Sequence, residues 1–303
     1  MVRRRIFRLS LPSRTLVLGE RTLVMGVLNV TPDSFFDGGF YPDVESAVAR
    51  ALEMERAGAD ILDIGGESTR PGSLGISAEE ELQRIEPVLA ALGGKLKIPI
   101  SIDTQKRLVA ERAVASGAEI INDISALRSD SELAEVARKH RLPIILMHMR
   151  GTPRTMQKRP FARNVLRDAS AGLRAAVARA RRAGLKREQL ILDPGIGFGK
   201  SFRQNYELLA HLDRLARLGY PLLVGTSRKT FIGATVAQAL LRAQSFASRK
   251  KSETSIAPPS DRRWGTAASV TAAILGGAHI VRVHDVAEMI HVARVADAVL
   301  AAR

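Results

Sequence analysis

Ionisable and amide side chains recur in this chain where short apolar runs end. They are Asn29, Glu67, Asp103, Asn122, His148, Asp193 and Lys229, with Arg282 inside the last run and His284 just after it. Asn29 offers an amide oxygen suited to a hard cation such as Mg2+, or simply caps a strand end. Asp103, Asn122, Asp123 and Asp193 can together exchange hydrogen bonds with a flat, amide-rich heterocycle. Arg282 and His284 alternate along one run and so face one side; with Lys229 they suggest an anion. The competing assignment makes Arg282 a salt-bridge partner of Asp285 or Asp103. The stretch Gly65-Gly66-Glu67-Ser68-Thr69-Arg70-Pro71-Gly72 puts hydroxyl and guanidinium donors, suited to phosphate or carboxylate, on a backbone that Gly and Pro keep irregular. Asp193–Lys200 has the glycines of a phosphate loop without its spacing. His-Xaa-His and His-Glu-Xaa-Xaa-His patterns are absent, and no nucleophile–base pair is evident.

Positioning such groups together requires elements that end at one rim. The apolar runs are Leu23–Val30, Asp60–Ile64, Ile98–Ile102, Glu119–Ile121, Leu142–Met147, Leu190–Leu192, Pro221–Val224 and His279–Val283. Helical patterns alternate with them at Asp43–Ala57, Ala78–Leu92, Gln105–Ser116, Ser131–His140, Phe161–Gly184, Asn205–Leu218 and Val286–Ala302. Gly58, Gly93, Gly117, Gly184 and Gly219 stand where left-handed C-terminal caps belong. This alternation predicts an α/β fold, a (β/α)8 TIM barrel with a parallel eight-stranded sheet and its site at the strands' C-terminal ends. Residues 1–22, turning at Pro12-Ser13-Arg14, predict an N-terminal β-hairpin that closes the barrel floor, leaving 23–303 as a single barrel domain. A short helix after strand seven, then a mobile surface loop at 242–263, precede a helix starting near Trp264.

The 303 residues carry net charge +15, which raises nucleic-acid binding as an alternative function. One Trp and three Tyr leave little for base stacking, and Arg163, Arg167, Arg174, Arg179, Arg181 and Arg182 surround one helical pattern. The charge is therefore assigned to a solvated exterior that also draws in anionic substrates, with no nucleic-acid partner. No cysteine is present, which excludes disulfides and thiolate chemistry. No run approaches the roughly 18 apolar residues of a membrane span, and polar residues interrupt the basic N-terminal segment, so a soluble, cytoplasmic protein is expected.

In the order and spacing of Met25–Gly39, Ile61–Gly72, Ser101–Thr104, Ile120–Ser125, Asp193–Gly199, Ser227–Gly233 and Val281–Asp285, the chain resembles the dihydropteroate synthase family. That resemblance implies condensation of 6-hydroxymethyl-7,8-dihydropterin diphosphate with 4-aminobenzoate in folate biosynthesis, with Mg2+, by a homodimer that sulfonamides inhibit. It implies that Asp103, Asn122, Met147, Asp193, Phe198, Gly225, Lys229 and Arg282 bind the pterin. Asn29, Thr69, Arg282 and His284 would bind diphosphate, with Asn29 on the metal. Phe35, Thr69, Arg70, Pro71, Lys229 and Thr230 would take 4-aminobenzoate, and Asp37, Asp103, Lys229 and Arg282 would be catalytic. Thr230 departs from the family's usual Ser, Phe36 from its usual small residue, and 242–263 is longer than usual. A pterin-binding methyltransferase barrel is the alternative enzyme; a basic paralogue binding RNA or protein is the non-enzymatic one.

Overall fold

The computed structural model describes residues 4–31, 43–158, 162–245 and 256–302. Strands β1 (Phe7–Ser10) and β2 (Thr15–Leu18) pair antiparallel, and the Leu11 N–H donates to the Arg14 carbonyl at 2.7 Å to close their turn. Then follow β3 (Leu23–Asn29), α1 (Val44–Arg56), β4 (Ile61–Gly65), α2 (Ala78–Leu92), β5 (Ile100–Asp103), α3 (Arg107–Ala115), β6 (Ala118–Asp123) and α4 (Leu133–Lys139). The second half holds β7 (Ile144–Met147), α5 (Val165–Arg182), β8 (Leu190–Asp193), α6 (Phe202–Ala210), α7 (Leu212–Ala216) and β9 (Leu223–Val224). It ends with α8 (Thr230–Ser245), α9 (Arg263–Leu275), β10 (Ile280–Val283) and α10 (Val286–Ala301).

Strands β3 to β10 form one parallel sheet in the order β8-β7-β6-β5-β4-β3-β10-β9. A single parallel bridge, Leu192 to Leu222, joins its two edges and completes the (β/α)8 barrel. The strands are apolar on both faces because each face is covered. Outward residues such as Val24, Leu62, Ile102, Ile121, Leu146 and Val281 pack under the helices. Inward residues Met25, Ile61, Ile120, Ile145, Ile191, Leu223 and Ile280 pack with Leu9, Leu11 and Leu18 of the hairpin, which plugs the barrel floor. Glu119 fixes that plug by accepting from the Ser13 N–H and hydroxyl at 2.7 and 2.8 Å. Side chains of Asp43, Ser77, Asn164 and Ser201 cap the starts of α1, α2, α5 and α6.

Several boundaries differ from the sequence expectations. The segment 205–218 holds the end of α6 and all of α7, separated by a break at His211, where φ is −125°; Leu208, Leu209, Leu212 and Leu215 are nonetheless all buried. Gly93 has φ −49°, and it is Gly94, at +72°, that takes the left-handed conformation. The helix after β9 spans 16 residues and is not short. Of 242–263, residues 242–245 belong to α8, 259–262 form a 3-10 turn, and 246–255 lie outside the described residues. Among the described residues, no helix is long and apolar enough to cross a membrane.

Candidate active site

Inward-facing positions recur every second residue along a strand, so two steps beyond the apolar floor each strand presents a new inward side chain. Beyond Ile61, Ile120, Ile145, Ile191, Leu223 and Ile280 these positions are Asp63, Asn122, Met147, Asp193, Gly225 and Arg282, and on β5 Asp103 follows the buried Ser101. Register sets them side by side: Gly65 beside Asp103, Asp103 beside Asn122, and Met147 beside Asp193. The barrel thus turns from hydrocarbon to polar groups within two residues of strand.

Arg282 organises one half of this layer. Its Nε donates to Asp63 Oδ2 at 2.6 Å and its Nη2 to Asp103 Oδ2 at 2.7 Å, while Asn122 Nδ2 donates to the same Asp63 oxygen at 3.0 Å. Burial pushes the Asp103 carboxyl up to about 7, against the pull of Arg282 and together with the repulsion of Asp63. The Arg282 guanidinium is held charged by the two carboxylates despite its burial. Of the two expected salt-bridge partners, Asp103 is engaged, whereas Asp285 takes a bidentate pair from Arg228. Asp63 was not singled out from sequence. Its signal is an acid inside an apolar run, in the inward parity of Ile61 and Gly65; it is fully buried, with Oδ1 unpartnered among the described residues.

The other half is built on the loop after β8. Asp193 Oδ1 accepts from the Gly195 N–H at 2.7 Å, and burial raises its carboxyl against the charge of Lys229. Lys229 donates to the Ile196 carbonyl and lies 4.6 Å from the centre of the Phe198 ring; burial lowers its ammonium to about 8. Gly197 is needed here, since at φ +87° an added Cβ would stand 2.8 Å from Lys229 Cδ. Lys200, only 1% exposed, donates to the carbonyls of His148, Gly195 and Phe198 at 3.2, 2.8 and 3.0 Å and pins this loop. Met147 packs with Ile124, Met149 and Met156 against Phe198, an apolar shelf beside the polar layer. Together they offer a slot with an apolar wall and polar edges, the form of site a planar heterocycle fits.

Asn29 ends β3 opposite Gly65 and is partly exposed, with no side-chain partner among the described residues. His284 Nδ1 lies 3.1 Å from Ser227 Oγ, and burial, with Arg282 nearby, lowers its imidazole to about 3, keeping it neutral. Thr69 is partly buried in the loop after β4, where Arg70 and Pro71 are exposed. Arg70-Pro71-Gly72-Ser73 forms a turn, with the Ser73 N–H donating to the Arg70 carbonyl at 3.0 Å and Gly72 at φ +86°. Proline second and a left-handed glycine third is the pattern of a type II turn. Thr230 is exposed at the first position of α8. Phe35 and Asp37 lie outside the described residues, as does Phe36.

Two residues noted from sequence turn away from the mouth. Asp123 accepts from the Ser125 and Leu127 N–H groups at 2.7 and 2.5 Å, holding Ala126 and Leu127 at positive φ. His148 faces α5, where Gly172 leaves it room: an added Cβ there would be 2.4 Å from His148 Cδ2. Among the described residues, no cluster of three or more His, Asp or Glu could hold a metal ion.

Comparison with known proteins places this geometry. The pterin binding enzyme family matches residues 25–284. A dihydropteroate synthase of Synechocystis is 47% identical over 280 residues, 92% of this chain and 91% of that protein. The structure of Xanthomonas albilineans dihydropteroate synthase with 4-aminobenzoic acid superposes with a TM-score of 0.83 at 41% identity, covering 98% of this chain and 99% of the other. The same enzyme in complex with 7,8-dihydropteroate gives 0.80 at 40% identity, covering 97% and 99%. With an eight-stranded barrel, a polar layer at its mouth and these relatives, the chain belongs to the dihydropteroate synthase family of pterin-binding enzymes.

Proposed function

We propose that the protein condenses 6-hydroxymethyl-7,8-dihydropterin diphosphate with 4-aminobenzoate, giving 7,8-dihydropteroate and diphosphate. The observation that carries this is the convergence of Asp103, Asn122, Asp193, Lys229 and Arg282 at one end of one barrel. Asp193 reads the guanidine-like edge of the pterin, Lys229 its carbonyl and adjacent ring nitrogen, and Asn122 and Asp103 the remaining polar edge. Met147 and Phe198 hold its faces, and Gly225 leaves space above Arg282.

The reaction breaks the bond between the pterin methylene and the diphosphate oxygen, and that electron pair leaves with diphosphate. The 4-aminobenzoate amine then bonds to the methylene carbon and loses a proton. No nucleophilic side chain is required. The work is electrostatic: Arg282, His284, Asn29 and Thr69 receive the anion, while Asp103 and Asp37 favour the pterin cation. Among the described residues Asn29 supplies one hard oxygen donor and no carboxylate cluster accompanies it, which would suit a Mg2+ that also takes substrate phosphate oxygens. Bound there, Mg2+ would neutralise charge on the departing diphosphate. Thr69, Arg70, Pro71 and Thr230, with Phe35, shape the 4-aminobenzoate site, which places its amine about 3 Å from the carbon.

The family also suggests a cytoplasmic homodimer. The packed outer helices α6 and α9 carry exposed Phe202, Tyr206 and Trp264, a surface such an assembly could cover. The decisive assay mixes protein, pterin diphosphate, 4-aminobenzoate and Mg2+ and follows diphosphate and dihydropteroate together. Equal amounts of both products are expected, with Lys229→Ala lowering kcat/KM on the order of 10²–10³-fold while still folding. Absence of dihydropteroate, or salt-sensitive RNA binding without diphosphate release, would overturn the assignment.

A further inference from the structure

The loop after β4 is tied down at its neck by residues outside the substrate layer. Lys106 stands immediately before α3, its backbone N–H bonded to Thr104 Oγ1 at 3.2 Å. Its ammonium reaches back to two carboxylates, Glu67 at 2.5 Å and Glu81. Those partners differ. Glu81 belongs to α2 and its side chain is fully buried, with Oε1 unpartnered among the described residues. Glu67 is the loop's own residue, with a side chain 13% exposed. It spans the loop's neck: a Cβ on Gly75 would lie 3.4 Å from Glu67 Oε1. Arg84 adds a second tie to the Gly66 carbonyl at 2.9 Å, while the tip docks through the Gly72 N–H on the Pro153 carbonyl at 3.0 Å.

We propose that Lys106 is a positioning residue for the 4-aminobenzoate subsite, anchoring the 66–77 loop through Glu67; the substrate named here rests on the assignment of Thr69, Arg70 and Pro71 above. Burial raises the Glu81 carboxyl against the pull of Lys106, so without the ammonium Glu81 would have to take up a proton or stand buried and unpaired, which is strongly destabilising. Lys106 is therefore held in place whatever the loop does. Glu67 meets a cation already ordered, so fixing the loop costs little additional side-chain entropy. If Glu67 lets go, Lys106 keeps Glu81 and no buried charge is stranded, while Glu67 gains water. One shared ammonium thus makes the loop's attachment reversible without endangering the fold.

The test is Glu67→Gln, which keeps shape and removes the charge from the loop side only. KM for 4-aminobenzoate is expected to rise about five- to tenfold, with a smaller rise for pterin diphosphate through Thr69 and an unchanged thermal midpoint. Amide hydrogen exchange across 67–76 should quicken in the same variant. The double variant Lys106→Met/Glu81→Met removes the buried pair together and should show the same signature. Unchanged 4-aminobenzoate KM with unchanged exchange would overturn the proposal, as would both KM values rising together with a lowered thermal midpoint. Faster exchange in a protein whose parent forms no dihydropteroate would uphold the anchor and overturn only the substrate.

Discussion

The floor and the mouth of the barrel are separated by two residues of strand, yet they follow opposite rules. Ile61, Ile120, Ile191 and Ile280 meet hairpin leucines in an apolar layer. Their inward successors Asp63, Asn122, Asp193 and Arg282 gather charges that burial penalises: the Asp103 and Asp193 carboxyls are pushed up and the Lys229 ammonium down. Burying apolar area stabilises the floor, whereas the mouth is held against its own desolvation by fixed counter-charges. Stability and chemistry are thus stacked along the same strands.

The sharpest challenge to this division is Arg282→Ala. It should cost about 3–5 kcal/mol of stability by leaving Asp63 and Asp103 buried without their cation, and should also remove nearly all turnover. Chemical denaturation and steady-state kinetics on one preparation read both, and a variant of normal stability would show that the carboxylates do not depend on Arg282. At the floor, Ile191→Ala should cost about 2–5 kcal/mol while leaving both KM values unchanged. A kinetic defect at a temperature where this variant stays folded would erase the division.

Protonation separates the regions more gently. Burial lowers His279, beneath the barrel, to about 4 and lowers His148 and His284, at its upper end, to about 3, from an ordinary value near 6.5. The unfolded chain binds these protons first, so the contribution is fully present above pH 6.5 and is lost as pH falls through 4 and then 3. For His279 alone the shift corresponds to about 3 kcal/mol lost between pH 6.5 and 4, read by denaturation midpoints, and His279→Gln should flatten that upper part of the window. The smallest effect is expected at Thr230→Ser. Removing one exposed methyl should tighten a sulfonamide roughly two- to fivefold, a fraction of a kcal/mol, and equal inhibition constants would remove Thr230 from that subsite.

Much of this fold was legible because hydrophobic period and glycine caps are local signals. The strands and their order along the chain follow from them, as do Asp103, Asn122 and Asp193 at strand ends and Lys229 in the turn beyond β9. Asp63 escaped notice since a lone acid inside an apolar run reads as part of the run until parity points it inward. The Glu67–Lys106–Glu81 group escaped because its members come from three elements, and nothing in their spacing reveals a shared ammonium. The break at His211 carries no proline or glycine to announce it.

The edge between β8 and β9 is joined by only the Leu192–Leu222 bridge, and β9 itself is two residues long. This is the weakest stitch of an otherwise continuous cylinder, and it runs directly below Asp193 on one side and the Gly225–Lys229 turn on the other. A flat molecule grasped by both would span the opening like a rivet. Occupancy would then tighten the whole hoop, and the protein would be most resistant to thermal opening while it holds its substrate.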